Sequence, residues 1–241
     1  MVSLAEVGCT PVTLRGRADL HMHTTASDGW PTPRELVDHA RRAGLNVIAV
    51  TDHDTIEGAL RAADHAAGWS KLEVIVGEEV SSRDGHIVGL FLEKRVRPGM
   101  SAAGTVHAIH EQGGLAVAVH PFWRPQRRAR GGPVHGVGWL AAELDFDAIE
   151  VENATPGFYF FNQLARRLNL GLAAAEVGGS DAHILDAVGR AFTEFSGKTP
   201  QALREAIESG TTVAGRRRYR AMGLMRYAAW GLNHDRYVAV V

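Results

Sequence analysis

The chain has 241 residues, 45% hydrophobic and 22% charged, which is ordinary for a soluble protein and long enough for a sizeable core in one large or two small domains. A formal net charge of −1 gives no overall pull toward nucleic acid or an anionic membrane. The lone Cys9 excludes an internal disulfide framework and a four-cysteine zinc site, whereas twelve histidines favour transition-metal chemistry.

The N-terminal MVSLAEVGCTPVTLRG lacks the basic region and apolar run of a signal peptide. No window approaches the roughly 18 consecutive apolar residues of a membrane span. A cytoplasmic location without a membrane partner is therefore expected. The next stretch, DLHMHTTASDG (19–29), ends a strand-like segment with His21 and His23. Residues i and i+2 of a strand point to one side, so both rings can face a common centre. The Ser-Asp-Gly turn lets the Asp28 carboxylate fold back toward them. Alone, this pattern fits two incidental histidines as well as two ligands.

TPRELVDHARRAG (32–44) reads as a helix, with Thr32 or Pro33 as its start, Leu36, Val37 and Ala40 on one face, and Gly44 as its stop. NVIAVT (46–51) reads as a strand running into Asp52 and His53, and TIEGALRAADHAAG as a second helix. EVIVGEE (73–79) ends in Glu78 and Glu79, HIVGLFL (86–92) opens with His86, and SAAGTVHAIHEQGG is helical. LAVAVH (115–120) ends at His120 and leads into the arginine-rich HPFWRPQRRARGG. DAIEVEN (147–153) ends at Asn153, NQLARRLNLG is helical, and LAAAEVG (172–178) precedes Asp181 and His183 in GGSDAH. SGKTPQALREAIESGTT reads as a loop and a capped helix. The tail GRRRYRAMGLMRYAAWGLNHDRY reads as an amphipathic helix docked on its own domain, with an interfacial or partner-binding helix as the weaker alternative.

Strands alternating with helices, and apolar on both faces, predict a parallel sheet with helical crossovers. Metal-competent side chains recur at the C-terminal ends of these strands, where parallel α/β barrels assemble their active sites. Asp181 and His183 share a centre if the chain stays extended between them. Imidazoles mixed with carboxylates suit zinc, manganese or iron better than calcium or magnesium alone. Against this stand plainer readings: TDHDT as a capped helix start, and His86 as a structural residue. His39, His65, His107 and His110 fall within helix patterns and suit solvated or packing roles. His135 and His234 have no supporting context.

Taken in order, DLHMHTTASDG, TDHDT, GEEVSS, HIVGLF, AVAVHPF, EVEN and GGSDAH resemble the PHP (polymerase and histidinol phosphatase) family of metal-dependent hydrolases. The likeness runs from residue 19 to about 190, and VGRAFTEF with LREAIESGTT resembles the family's closing segment. It implies an α/β fold, a distorted TIM-like (β/α)7 barrel, with two or three divalent metal ions at the strand C-termini. On this reading residues 1–241 form a single domain, with a core over about 17–195 and a closing helix and amphipathic tail over 196–241. The resemblance makes His21 and His23 ligands, with Asp28 as the carboxylate after them, and adds His53, His120, Asp181 and His183. The pattern Gly-x-Glu-x-Ser/Thr selects Glu79 over Glu78 as the bridging ligand. His86 matches a further ligand, and Asp19, Asp52 and Asn153 match residues that orient ligands or line the pocket.

Such a constellation lowers the pKa of a bound water toward about 7 and supplies hydroxide near neutral pH. A second cation offsets charge in the transition state. Asp181, or a histidine such as His183 that is not fully committed to metal, can protonate the leaving oxygen. Neither a serine or cysteine nucleophile nor a Walker-type loop is called for. Arg124, the arginine nearest His120, suits a bidentate phosphate clamp, and Asn153 a substrate contact. Arg124, Arg127, Arg128 and Arg130 read equally well as a plain basic surface loop. The expected activity is hydrolysis of a small phosphorylated metabolite or nucleotide. The alternative is an amide, carbamate or carboxylic ester hydrolase on the same scaffold, and a non-catalytic module ranks last. A polymeric nucleic acid is a less favoured partner than a small phosphorylated molecule. The short spacings from His53 to Glu79 and on to His120 leave little room for an inserted domain.

Overall fold

The computed structural model describes residues 16–124, 134–172 and 174–233. Cys9, Arg127, Arg128, Arg130 and His234 lie outside them. Within the described residues the strands are β1 (Gly16–Asp19), β2 (Val47–Val50), β3 (Glu73–Ser82), β4 (Gly85–Leu90), β5 (Leu115–Ala118), β6 (Ala148–Asn153), β7 (Ala175–Gly179), β8 (Ala191–Phe195) and β9 (Val213–Arg216). The helices are α1 (Pro33–Arg42), α2 (Glu57–Ala66), α3 (Ala102–His110), α4 (Tyr159–Leu172), α5 (Pro200–Glu208) and α6 (Ala221–Asn233).

Local chemistry sets several boundaries. Thr32 caps α1 through a reciprocal box with Glu35, and Pro33 occupies the first turn, where its missing N–H removes no helical bond. Such a cap contributes about 1 kcal/mol. Leu36, Val37 and Ala40 then form the buried stripe. Thr199 caps α5 by accepting from Ala202 N, with Pro200 in the first turn but no reciprocal box. Leu172, expected at the start of a strand, is the last residue of α4, and β3 continues to Ser82, three residues beyond Glu79.

The sheet order is β7-β6-β5-β4-β3-β2-β1-β8-β9. Parallel pairing holds for β1–β2, β2–β3, β5–β6 and β6–β7. The expected parallel pairing does not extend to every strand. β4 runs antiparallel to β3 and β5, and β8 runs antiparallel to β1 and β9. Only residues 83 and 84 separate β3 from β4, which suffices for a hairpin but not for a helical crossover of a dozen or more residues.

The sheet curls into a nearly closed barrel. Beyond Asp19 the chain leaves β8 and pairs with the segment after β7, through a parallel bridge between Met22 and Ala182. Asp19 fastens this seam by accepting from Ser180 N at 2.9 Å and Gly189 N at 2.7 Å. Thr193 of β8 bonds both main-chain groups of Gly178, at 2.9 and 3.1 Å. A Cβ on Gly178 would lie 2.5 Å from Phe192 O, so this approach requires glycine.

Alternation along the strands divides the core. Ala18, Val47, Ala49, Ile75, Leu90, Leu115, Val117, Ala148 and Ala175 point inward, and α5 packs Leu203, Ala206 and Ile207 against them. Ile48 and Val50 point outward, under α1 and α2, while Ala116, Ala118, Ile149 and Val151 sit under α3 and α4. Apolar residues thus fill the end of the barrel where the parallel strands begin. The opposite rim is left to polar side chains. No helix among the described residues is long and apolar enough to cross a membrane.

Candidate metal centre

At that rim the chain turns polar side chains inward. Met22 points out into the helical layer, so its neighbours His21 and His23 point in, both buried. The turn carrying Asp28 is built on Asp52, whose carboxylate accepts from Thr24 N, Thr24 Oγ1 and Ser27 Oγ, each at 2.7 Å. Glu79 and Glu78 take opposite faces of β3. Glu79 enters the cluster, whereas Glu78 accepts from Val96 N at 2.7 Å, and burial raises its pKa to about 7.

Glu79 lies at the centre. Its Oε1 is 2.9 Å from His86 Nδ1 and 3.0 Å from His120 Nε2. Its Oε2 is 3.3 Å from both His21 Nε2 and His23 Nε2, and 3.4 Å from His53 Nδ1. Asp181 Oδ1 is 3.3 Å from His23 Nε2 and 3.7 Å from His21 Nε2. Asp28 Oδ2 is 3.2 Å from His183 Nε2 and 3.8 Å from His53 Nε2. His86 lies at the start of β4, next to Gly85, yet reaches this rim, because β4 runs antiparallel and pairs His86 with Ser81.

The final pair is arranged differently from the expectation of an extended chain. Asp181 has φ +51°, in the left-handed region that non-glycine residues rarely adopt. This turn aims its carboxylate at His21 and His23 while His183 faces Asp28. His120 is likewise at φ +29°. Backbone strain of this kind gathers where surrounding structure holds a functional geometry in place.

The donor chemistry fits divalent cations. Among the described residues, His21 Nε2, both nitrogens of His23 and His120 Nδ1 are buried without a hydrogen-bond partner, a costly state for a polar atom. The 3.3 Å spacings from His21 and His23 to Glu79 are long for hydrogen bonds. Two ligand atoms each about 2.1 Å from one tetrahedral ion are themselves about 3.4 Å apart. Four sets of donor atoms lie within 4.8 Å of one another: His23/Asp28/His53/His183, His21/His23/Glu79, His21/His120/Asp181 and His53/Glu79/His86.

The electrostatics agree. Burial disfavours the charged form of Glu79, but His53, His86 and His21 outweigh it and hold the carboxyl well below its usual range. Burial also opposes charge on His23, yet Asp181, Glu79 and Asp28 push its pKa up to about 10. Burial dominates at His53, lowered to about 4. Taken together, the carboxylates favour positive charge within the cluster.

Above it lies a cavity of about 160 Å³, lined by Asp28, His53, Glu79, His86, His120, Asp181 and His183, and also by Trp123, His135, Thr155, Tyr227 and Trp230. None of these last five was expected from the sequence. His135, which had no sequence context, is carried there by the main-chain bond from His86 N to His135 O at 2.7 Å, and its ring lies 4.1 Å from Trp123. Burial lowers its pKa to about 4. Glu150 was also missed: it accepts from His21 Nδ1 at 3.0 Å, and from His120 N and Asn153 Nδ2 at 2.9 Å each. Its only signal was its place in EVEN. Two expected substrate contacts are not among the residues that line this cavity. Asn153 is fully buried behind the carboxylates, bonded to Glu150 and Asp181, and exposed Arg124 lies over Trp123.

A barrel-like α/β sheet with this His and carboxylate cluster on one rim is the architecture of a metal-dependent hydrolase. Residues 19–150 match the PHP domain, and residues 160–212 match the PHP-associated region. The chain belongs to the PHP domain family, whose members bind divalent metals. It is 36% identical over 149 residues to an uncharacterized protein of Methanocaldococcus jannaschii, a match covering 57% of this chain and 82% of that one. It is 48% identical over 88 residues to the 5′-3′ exoribonuclease of Haemophilus influenzae, covering 35% of this chain and 31% of that enzyme. In fold it resembles a two-domain protein of Bacteroides vulgatus containing a predicted PHP-like metal-dependent phosphoesterase, with TM-score 0.68 and 22% identity over 88% of this chain and 69% of that one.

Proposed function

We propose that this chain hydrolyses a phosphate ester, with a nucleotide as the favoured substrate class. Two or three divalent cations, of zinc, manganese or iron, are held by His21, His23, Asp28, His53, Glu79, His86, His120, Asp181 and His183. The observation carrying this reading is the sharing of donors: His21, His23, His53 and Glu79 each belong to two of the four donor sets, as in a site for adjacent ions. When bound, such ions supply the Lewis acidity that generates hydroxide near neutral pH and offsets the charge of a phosphate ester.

The chain's own residues do the positioning. Carboxylates accept, so His21 carries its proton on Nδ1 toward Glu150 and turns the Nε2 lone pair to the centre. His183 donates from Nδ1 to the Asp181 carbonyl at 2.9 Å, which leaves Nε2 facing Asp28. Asp181 Oδ2 accepts from Asn153 Nδ2 and Thr155 Oγ1, each at 3.2 Å. These two bonds leave Oδ1 turned toward His21 and His23, whose rings, with His183 and His120, hold the carboxyl in its ionised form. Trp123, Tyr227 and Trp230 form part of the apolar wall of the cavity. A volume of about 160 Å³ suits the reacting phosphate and its immediate substituent, below the roughly 300 Å³ of a pocket that encloses a whole ligand. The similarity to an exoribonuclease favours nucleotides over other phosphate esters.

The test is a substrate panel on metal-loaded protein: p-nitrophenyl phosphate, bis-p-nitrophenyl phosphate, nucleoside monophosphates and a short labelled RNA. Turnover of at least one phosphate ester is expected, lost with chelator and restored by Mn²⁺ or Zn²⁺. Activity confined to carboxylic, carbamate or amide substrates would overturn the assignment.

A further inference from the structure

Helix α6 lies beyond both family matches, which end at residues 150 and 212, yet it supplies two side chains to the cavity wall. Its inner face is narrow: Gly223 and Tyr227 are buried and Trp230 is partly so, spaced i, i+4 and i+7 along one stripe. Arg226 reaches Asp186 at 2.8 Å. Met222, Leu224, Met225 and Leu232 remain exposed. A helix of this length is marginal alone, so its few inward contacts decide whether it stays docked.

Those contacts fall on one part of the cluster. The Trp230 ring lies 4.1 Å from that of His183, tilted by 38°, and its indole Nε1 donates to the main-chain oxygen of Asp28 at 3.1 Å. His183 and Asp28 belong to the same donor set, with His23 and His53. Trp230 therefore grips two of its four members, one by its ring and one by its backbone. Tyr227 acts one step further back. Thr155 donates to Asp181 at 3.2 Å, so the Tyr227 hydroxyl, 3.3 Å from Thr155 Oγ1, is the donor in that pair. The set formed by His53, Glu79 and His86 has no such contact from α6 within the described residues.

We propose that docking of α6 and cation binding by His23, Asp28, His53 and His183 are thermodynamically coupled, with Trp230 as the positioning residue that couples them. This rests on the reading that the cluster holds divalent cations. A docked Trp230 fixes the His183 ring and the Asp28 turn in the ligating arrangement. By linkage, an ion in that subsite must favour the docked helix by the same factor. Thin anchoring makes the docking equilibrium easy to bias.

The test uses the full chain, stripped of metal and titrated with Mn²⁺ alone, with free ion followed by electron paramagnetic resonance. The Trp230→Ala variant should keep the other sites and lose affinity at one, on the order of 10- to 100-fold. Trp230→Phe keeps a ring over His183 without the N–H to Asp28 and should fall between. Met225→Ala, on the exposed face, should match the wild type. Independently of any variant, hydrogen exchange of the amides of residues 221–233 should slow when Mn²⁺ is added to the wild-type protein. The proposal is overturned by a wild-type isotherm for Trp230→Ala, by an equal loss in Met225→Ala, or by exchange in α6 that ignores Mn²⁺. Wild-type protein that takes up no Mn²⁺ at all is a separate failure, and it overturns the reading of the cluster itself.

Discussion

Gly179 and His21 are packed so closely that a Cβ on Gly179 would lie 2.5 Å from the Cβ of His21, and 2.6 Å from Glu150 Oε1. The seam between β7 and the end of β1 closes over this contact, and it presses His21 against the carboxylate that orients it. Gly179→Ala should therefore destabilise the fold by about 1–3 kcal/mol, as overpacking does, and weaken metal uptake because His21 is displaced. Chemical denaturation and a Mn²⁺ titration read the two effects. Wild-type values in both would show that the seam is looser than these contacts imply.

Glu79→Gln keeps the shape of the side chain and removes its charge. Five histidines surround that carboxylate, so more than one ion should be affected. Bound metal per chain is expected to fall by more than one equivalent. Turnover should drop by at least on the order of 100-fold, the upper end of what removing an outer partner costs. Elemental analysis after gel filtration measures the first, and a loss confined to a single ion would argue against a shared Glu79.

Glu150→Gln tests a residue that would never touch metal or substrate. The amide oxygen still accepts from His120 N, but the contact to His21 Nδ1 loses its charge and its control of the tautomer. Metal affinity should weaken by roughly 10- to 100-fold with the fold intact. Isothermal titration with Zn²⁺ checks this, and unchanged affinity would leave Glu150 a packing residue.

Metal removal should lower thermal stability. One ion bound at 100 times its dissociation constant adds about 2.7 kcal/mol, which for a domain of this size means a rise in Tm of roughly 5–10 °C. Scanning calorimetry with Mn²⁺ and with excess chelator should bracket that range. Identical transitions in both would be incompatible with ions held by the folded cluster alone.

The chain order of the motifs carried much of this in plain view. His21 and His23 stand two apart, His53 and His120 follow the ends of β2 and β5, Glu79 lies near the end of β3, and Asp181 and His183 follow β7, because strand periodicity and the barrel rim impose that rhythm on the sequence. Thr32, Pro33 and Glu35 announced α1 because capping is a contact between near neighbours. The antiparallel β4 was less legible. The sequence pattern places residues 80–85 between the two strands, and only the folded chain extends β3 to Ser82 and leaves a two-residue hairpin turn. His86 was consequently difficult to weigh, since a residue that opens a strand reaches the rim only when that strand runs backwards.

Sequence alone thus determined the chemistry of the donors and the elements that carry them, because residue type, spacing and local caps are short-range properties. Tertiary structure decided how the donors group. The left-handed turn at Asp181 splits it from His183. The seam at Gly179 seats His21 on Glu150, and a distant helix brings Trp230 to Asp28. The last two join residues many positions apart through a three-dimensional fit. No spacing along the chain encodes such contacts: they exist only once the barrel has closed.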